Sequence, residues 1–224
     1  MRSRLNSRWY AAARQALCLV LVGYGLLTTA EVIERIVATV NRHAILQSEW
    51  DEAVAFECLM NGRPLREVTA VGRIQTLDRL IDQELILEQM RSSSFVPATA
   101  DEVTAHVREL RQSVPSWRSD EGWRSALAGY GLSQEDVEER TAVQVNLSRY
   151  LDQRFRPGIH IERGAMEEYY RTKLLPEMHA SGWPDKPFDQ LAPKIEQLLT
   201  EQRISELQDD WLRSLRLQAD IHVR

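Results

Sequence analysis

Cysteine is almost missing from this 224-residue chain, which has only Cys18 and Cys58. Cys18 lies inside a leader-like segment, so the mature chain is expected to keep Cys58 alone. That excludes an intramolecular disulfide, a CxxC zinc site and a dithiol redox centre. Glycine and proline are sparse, at 10 and 8 residues, and no internal repeat or low-complexity block accompanies them. Basic charge is short. The chain has 28 Lys and Arg against 33 Asp and Glu. Four of the arginines lie in the first thirty residues with no acid among them, which leaves −9 on the remainder. A protein that tracks a phosphate backbone needs the opposite sign, so no nucleic-acid partner is expected. An acidic surface favours solubility instead.

Other absences narrow the chemistry. No glycine-rich phosphate loop occurs, which argues against nucleotide-driven action. The five histidines, His43, His106, His160, His179 and His222, are scattered, and none forms an HExxH pair. His160 and Glu162 stand two apart, and one His with one Glu is too small a ligand set to read as a metal site. Ser48, Thr99 and Ser133 read as helix caps, not nucleophiles. Glu135-Asp136 and Glu138-Glu139 sit at a helix start, where they complement the dipole. No catalytic, cofactor-binding or metal-ligating set is expected.

The first thirty residues have a secretory layout. Arg2, Arg4, Arg8 and Arg14 precede the apolar run Ala16 to Leu27, and Thr28-Thr29-Ala30 supplies small residues. A signal peptide over residues 1–30 is expected, with cleavage between Ala30 and Glu31 and delivery to the periplasm. The run is short of the about 20 residues of a bilayer span, so no membrane span is expected after cleavage. A retained anchor is the other reading. The 194 residues that follow are enough to form a core without disulfides.

Glu34 to Asp51, ERIVATVNRHAILQSEWD, organises the rest. Ile36, Ala38 and Val40 alternate with Val37, Thr39 and Asn41, the period of a strand. Asn41 to Ala44 interrupts the run, Ile45-Leu46 resumes it, and Ser48 with Asp51 resembles a capping box. The reading is strand, turn, strand, helix. At the far end Leu217, Ala219, Ile221 and Val223 alternate with polar residues. That pattern suits an edge strand, so the two ends are expected to meet in one antiparallel sheet.

Helical patterns fill the interval. They run from about Glu49 to Met60, stopping at Asn61-Gly62, and from about Leu65 to Met90 along a stripe of Ile74, Leu77, Ile81 and Leu85. Thr99 and Glu102 form a capping box, and Pro115 ends that helix. Trp117, Trp123 and Leu127 mark a shorter piece, stopped at Gly129-Tyr130-Gly131. Ser133 opens a long helix closed by Pro157-Gly158, and Met166 to Leu174 gives one more. Pro176 to Pro187 reads as a linker. The last helix opens near Asp189, with Pro193 in its first turn, and runs towards Leu215. The fold class expected is mainly α, with a small antiparallel β element joining the N-terminal hairpin to the C-terminal strand.

Four segments in order resemble the SurA family of periplasmic chaperones and prolyl isomerases. IVATVNRHAILQSEWDE is similar to the family's opening hairpin and helix, and RIQTLDRLIDQELILEQM to its second helix. ALAGYGLSQEDVEERTAVQVNLSRYL looks like its later turn and charged helix, and PFDQLAPKIEQLLTEQRISELQDDWLRSLRLQADIHV like its closing helix and strand. Arg42 stands where the family places Gly or Asn in the hairpin turn; at positive φ it would cost about 1 kcal/mol. Family members carry one or two parvulin-type isomerase domains between the charged helix and the closing one. Here that place is taken by residues 176–187, far short of the about 50 residues of a domain.

The resemblance therefore implies a helical chaperone core over residues 31–175, a linker over 176–187 and a completing helix and strand over 188–224. It implies an ATP-independent periplasmic holdase, without isomerase activity, for unfolded polypeptides, by family outer-membrane β-barrel proteins. The alternatives are an exported structural subunit for one folded partner and a prolyl isomerase. A domain-swapped dimer is compatible with the terminal helix and strand. Trp117, Trp123, Tyr130, Tyr169 and Tyr170 are either core or an adaptable client-binding surface, and the pattern leaves both open.

Overall fold

Ile36–Val40 (β1) and His43–Leu46 (β2) form an antiparallel hairpin, and Ile221–Val223 (β3) pairs antiparallel with the other side of β1. The computed structural model describes residues 34–224; the expected leader, with its cleavage point at Ala30 and Glu31, lies outside them. All but Glu34 fall in one unit, Arg35–Arg224. The sheet order is β2-β1-β3, so the ends of this unit do meet. Val40 faces His43 across a two-residue turn. Asn41 takes the left-handed conformation there, at φ 53°, and Arg42 does not. The strain expected at Arg42 is thus absent, because Asn tolerates this region better than other non-glycine residues. A register shift between Ile36 and Ala38 marks a bulge. It buries Val37 and Ala38 together, where simple alternation would bury one of them.

Asn41 also ties the two ends of the unit. Its N–H donates to the Asp220 carbonyl at 2.8 Å, and its Oδ1 accepts from the Asp220 N–H at 2.9 Å. Its Nδ2 donates to Glu88 Oε2 at 2.6 Å. The Arg224 N–H adds a bond to the Val37 carbonyl at 2.9 Å.

The sheet packs on Gln47–Met60 (α1) and Ala70–Arg91 (α2). Val37, Ala38, Val40 and Ile45 meet Ala53, Leu77, Ile81 and Leu85 in one apolar cluster. Helix α1 begins before Ser48, which corrects the expected cap: Glu49 reaches back and its Oε2 accepts from the Leu46 N–H at 3.2 Å. The long helix expected from Leu65 is also corrected. Leu65–Glu67 is a single 3₁₀ turn, and α2 starts at Ala70 because the Thr69 hydroxyl caps the Gly72 N–H. Ile74, placed on the apolar stripe, is instead 56% exposed near this fresh start.

Ala100–Ser113 (α3), Asp120–Tyr130 (α4) and Gln134–Phe155 (α5) follow, with caps at Thr99, Ser119 and Ser133; Trp117, expected in the same helical piece as Trp123, lies before α4 in a 3₁₀ turn, Pro115–Trp117. Trp117, Trp123, Leu127 and Val137 pack with Phe56 and Leu59 of α1 in a second cluster. Gly122 is required there: a Cβ would lie 1.9 Å from the Ser116 carbonyl oxygen. Arg140 joins α5 to α1 through Glu52 at 2.7 Å and the Glu49 carbonyl at 2.8 Å.

The chain then runs through Arg163–Tyr169 (α6), a π turn at Tyr170–Leu174 and Leu175–Ala180 (α7), before Phe188–Gln218 (α8). Residues 176–180, expected as linker, are therefore helical, and only residues 181–187 connect. Pro176 lacks an N–H and would clash with a carbonyl one turn back in an α-helix; the wider π turn just before it relieves both problems. His160 and Glu162 lie in the connection before α6, not on a strand. Helix α8 starts at Phe188, so Pro193 sits in the second turn, not the first. It also runs past Leu215, which leaves Leu217 as an 88% exposed helical residue outside the strand. Its far half returns to the body, where Trp211 and Leu212 pack with Met90 and Tyr150 in a third cluster. Arg216 fixes it to Asp82 of α2 at 2.6 Å.

The α3 cap makes a pH prediction. Glu102 accepts from the Thr99 N–H at 2.7 Å and pairs with Arg149 at 2.8 Å. Together these lower its carboxyl from 4.5 to about 2, with the backbone bond the larger cause. A depressed carboxyl stabilises the fold fully above its unfolded value, and that stabilisation is lost as pH falls through the folded value. Denaturation midpoints of Glu102→Gln and the parent are expected to converge between pH 4.5 and about 2. A difference that stays constant over that window would contradict the role.

Candidate functional site

The end of α7 places the most exposed tryptophan among the described residues. Gly182 takes the left-handed conformation at φ 67° just past the helix. The Gly182 N–H donates to the His179 carbonyl at 3.2 Å, and the Trp183 N–H to the Met178 carbonyl at 2.9 Å. This is the Schellman stop, in which the residue after glycine packs on the last helical turn. Trp183 and Met178 accordingly line one groove, closed from the other side by Leu191, Ile195 and Leu198 of α8. Tyr169 and Leu174, at the two ends of the π turn, complete its wall.

The groove is about 240 Å³. Pockets that enclose a whole small ligand run to about 300–1,000 Å³, so this one suits a side chain or two. Its floor is buried, with Met178 6% and Ile195 2% exposed, while the lip is open at Trp183 (68%) and Leu198 (38%). Lys186 and Lys194 stand at the rim. Below the groove the hairpin of helices is tied shut. Tyr170 donates its hydroxyl to the Lys186 carbonyl at 2.6 Å and meets Phe188 edge-on at 5.7 Å. Arg163 covers Phe188 and pairs with Glu167 at 2.7 Å and Asp189 at 3.2 Å.

Of the five aromatics considered from the sequence, Tyr169 alone lines this groove. Tyr170 supports it from below. Trp117 (8% exposed) and Trp123 (3%) belong to the second core cluster, and Tyr130 packs against that cluster half-buried. The five do not form one surface. The sequence reading missed Met178, Trp183, Ile195 and Leu198. The signal available for them was the run Met178 to Trp183, in which glycine just past a helix is followed by a large apolar residue.

Elsewhere, among the described residues, no buried side-chain polar atom lacks a partner. Glu84 is buried at 6%, and Arg91 bonds it at 2.5 Å with His43 at 3.7 Å. Thr76 and Arg79 occupy Glu57. Among the described residues no group of three or more His, Cys, Asp or Glu could hold a metal, and no helix is long and apolar enough to cross a membrane. Fold and site together define a mainly α protein with an open apolar groove between two helices. No protein-family model matches the chain, and no curated protein matches it.

Proposed function

We propose that the protein is an ATP-independent holdase of SurA type without isomerase domains, exported to the periplasm, that holds unfolded outer-membrane β-barrel proteins before assembly. The observation that carries this reading is the groove with its open lip at Trp183 and Leu198 on an otherwise acidic chain. The closed β2-β1-β3 sheet and the short 181–187 connection also support it, since no domain of about 50 residues is inserted there.

Magnitudes set the mode of action. Burying one large apolar side chain contributes about 1.5–3 kcal/mol, and a millimolar Kd already requires about 4 kcal/mol. A single groove therefore binds weakly and exchanges fast. Holding a long client needs several contacts at once, from several surfaces or several copies on one chain.

The test is light scattering of an unfolded outer-membrane β-barrel protein diluted into buffer with or without the purified protein, in the absence of ATP. Aggregation is expected to fall as the ratio rises to about one to a few copies per client. A folded preparation that leaves scattering unchanged, and that instead forms a tight complex with one folded protein, would replace this reading with that of a dedicated subunit.

A further inference from the structure

We infer that the groove between α7 and α8 prefers client segments in which a large apolar side chain has an Asp or Glu beside it. The apolar side chain fills the groove, and the neighbouring carboxylate meets the ammonium groups of Lys186 and Lys194. This rests on the holdase reading and adds a sequence preference to it.

The lysines carry the inference. The chain has three, Lys173, Lys186 and Lys194, and every other basic side chain apart from histidine is arginine. Two of the three rim the groove whose lip exposes Trp183. Arginine is the usual partner in fixed ion pairs because its planar fork locks onto a carboxylate. This protein uses it that way at Glu52, Asp82, Glu84 and Glu102 among others. Neither Lys186 nor Lys194 is in an ion pair among the described residues. The acids nearest Lys186 in sequence are already engaged, Asp185 by His179 at 2.8 Å and Asp189 by Arg163 at 3.2 Å.

A lysine at the edge of an apolar wall lays its methylenes along the wall and keeps its charge in water. Two such charges beside one apolar socket are complementary to an apolar residue followed or preceded by a carboxylate. The carboxylate stays hydrated, so no large desolvation cost opposes the pairing. The net acidic charge of the chain gives acidic segments no general attraction. The preference is therefore local, within the about 8 Å over which charges act at physiological salt.

Fluorescence anisotropy with short peptides, acetylated and amidated so that no terminal charge contributes, tests this. One peptide has an aromatic pair flanked by Asp, the second has Asn in those places, and the third has Lys. Two exposed ion pairs are worth about fivefold in affinity at low salt, so the Asp peptide is expected to bind that much more tightly than the Asn peptide. The Lys peptide is expected to be the weakest. In K186M/K194M, which keeps the apolar stems, the Asp and Asn peptides are expected to bind alike. Equal binding of Asp and Asn peptides to the parent, or an Asp advantage that survives K186M/K194M, overturns the inference. In either case continued binding of the Asn peptide leaves the holdase reading standing. Trp183→Asp, at an exposed position, separates the two: if it leaves Asn-peptide binding unchanged, the groove is not the client site.

Discussion

Trp123→Ala is expected to lower the unfolding free energy by about 3–5 kcal/mol, the range for removing a large aromatic from a packed core. For a domain stable by about 5–15 kcal/mol that is a large share, and it corresponds to a fall in Tm of about 10 °C at this size. The ring is 3% exposed and sits 5.6 Å from Trp117. Its indole N–H donates to Gln134 at the start of α5, and the Arg111 guanidinium lies 5.6 Å over its face. Arg111 in turn pairs with Asp120 at 2.7 Å and holds that carboxyl below its ordinary range. One ring therefore joins α3, α4 and α5, and truncation leaves both a cavity and Gln134 Oε1 without its donor. Trp123→Phe is expected to cost less, since it keeps most of the contact with Trp117. Thermal denaturation by circular dichroism measures the change. A variant that melts with the parent but no longer suppresses client aggregation would move the client surface to this ring and away from the groove.

Asn41→Ala is expected to destabilise by roughly 3 kcal/mol, combining about 1–2 kcal/mol for alanine in the left-handed region with about 1 kcal/mol for each lost hydrogen bond. The side chain serves two partners, the Asp220 N–H and the Glu88 carboxylate. Asn41→Gly isolates the second part, because glycine accepts φ 53° without strain; it is expected to recover the conformational share alone. Hydrogen exchange gives the local reading. The amides of Asp220 and its neighbours in β3 are expected to lose protection in both variants, and those of α4 are not. Unchanged protection at Asp220 would mean that β3 is held by its ladder with β1 without help from the turn.

Much of this fold was legible because local signals agreed with tertiary ones. The caps at Thr99 and Ser133 and the stop at Gly131 are chemical facts about single residues, and each falls where expected. The meeting of the two ends followed from alternation at both. What escaped was decided by neighbours. Val37 and Ala38 are both buried because of a bulge, which alternation cannot announce. Pro176 reads as a breaker, but the π turn absorbs it and the helix continues to Ala180. The groove was hidden for the same reason, since Met178, Trp183 and Lys186 of its wall belong to a stretch that reads as linker. Trp117 and Trp183 look equally available in the sequence. Only packing separates them.

The antiparallel pairing of β1 with β3 has a kinetic side. Asn41 and Asp220 are 179 positions apart. In a chain released N-terminus first, the central strand of the sheet is out well before the strand that covers it. In that interval β1 has one open edge, and a protein read as a keeper of unfinished strands is briefly in the position of its own clients. Refolding is expected to end on this slow, long-range docking step, after the local helices have formed.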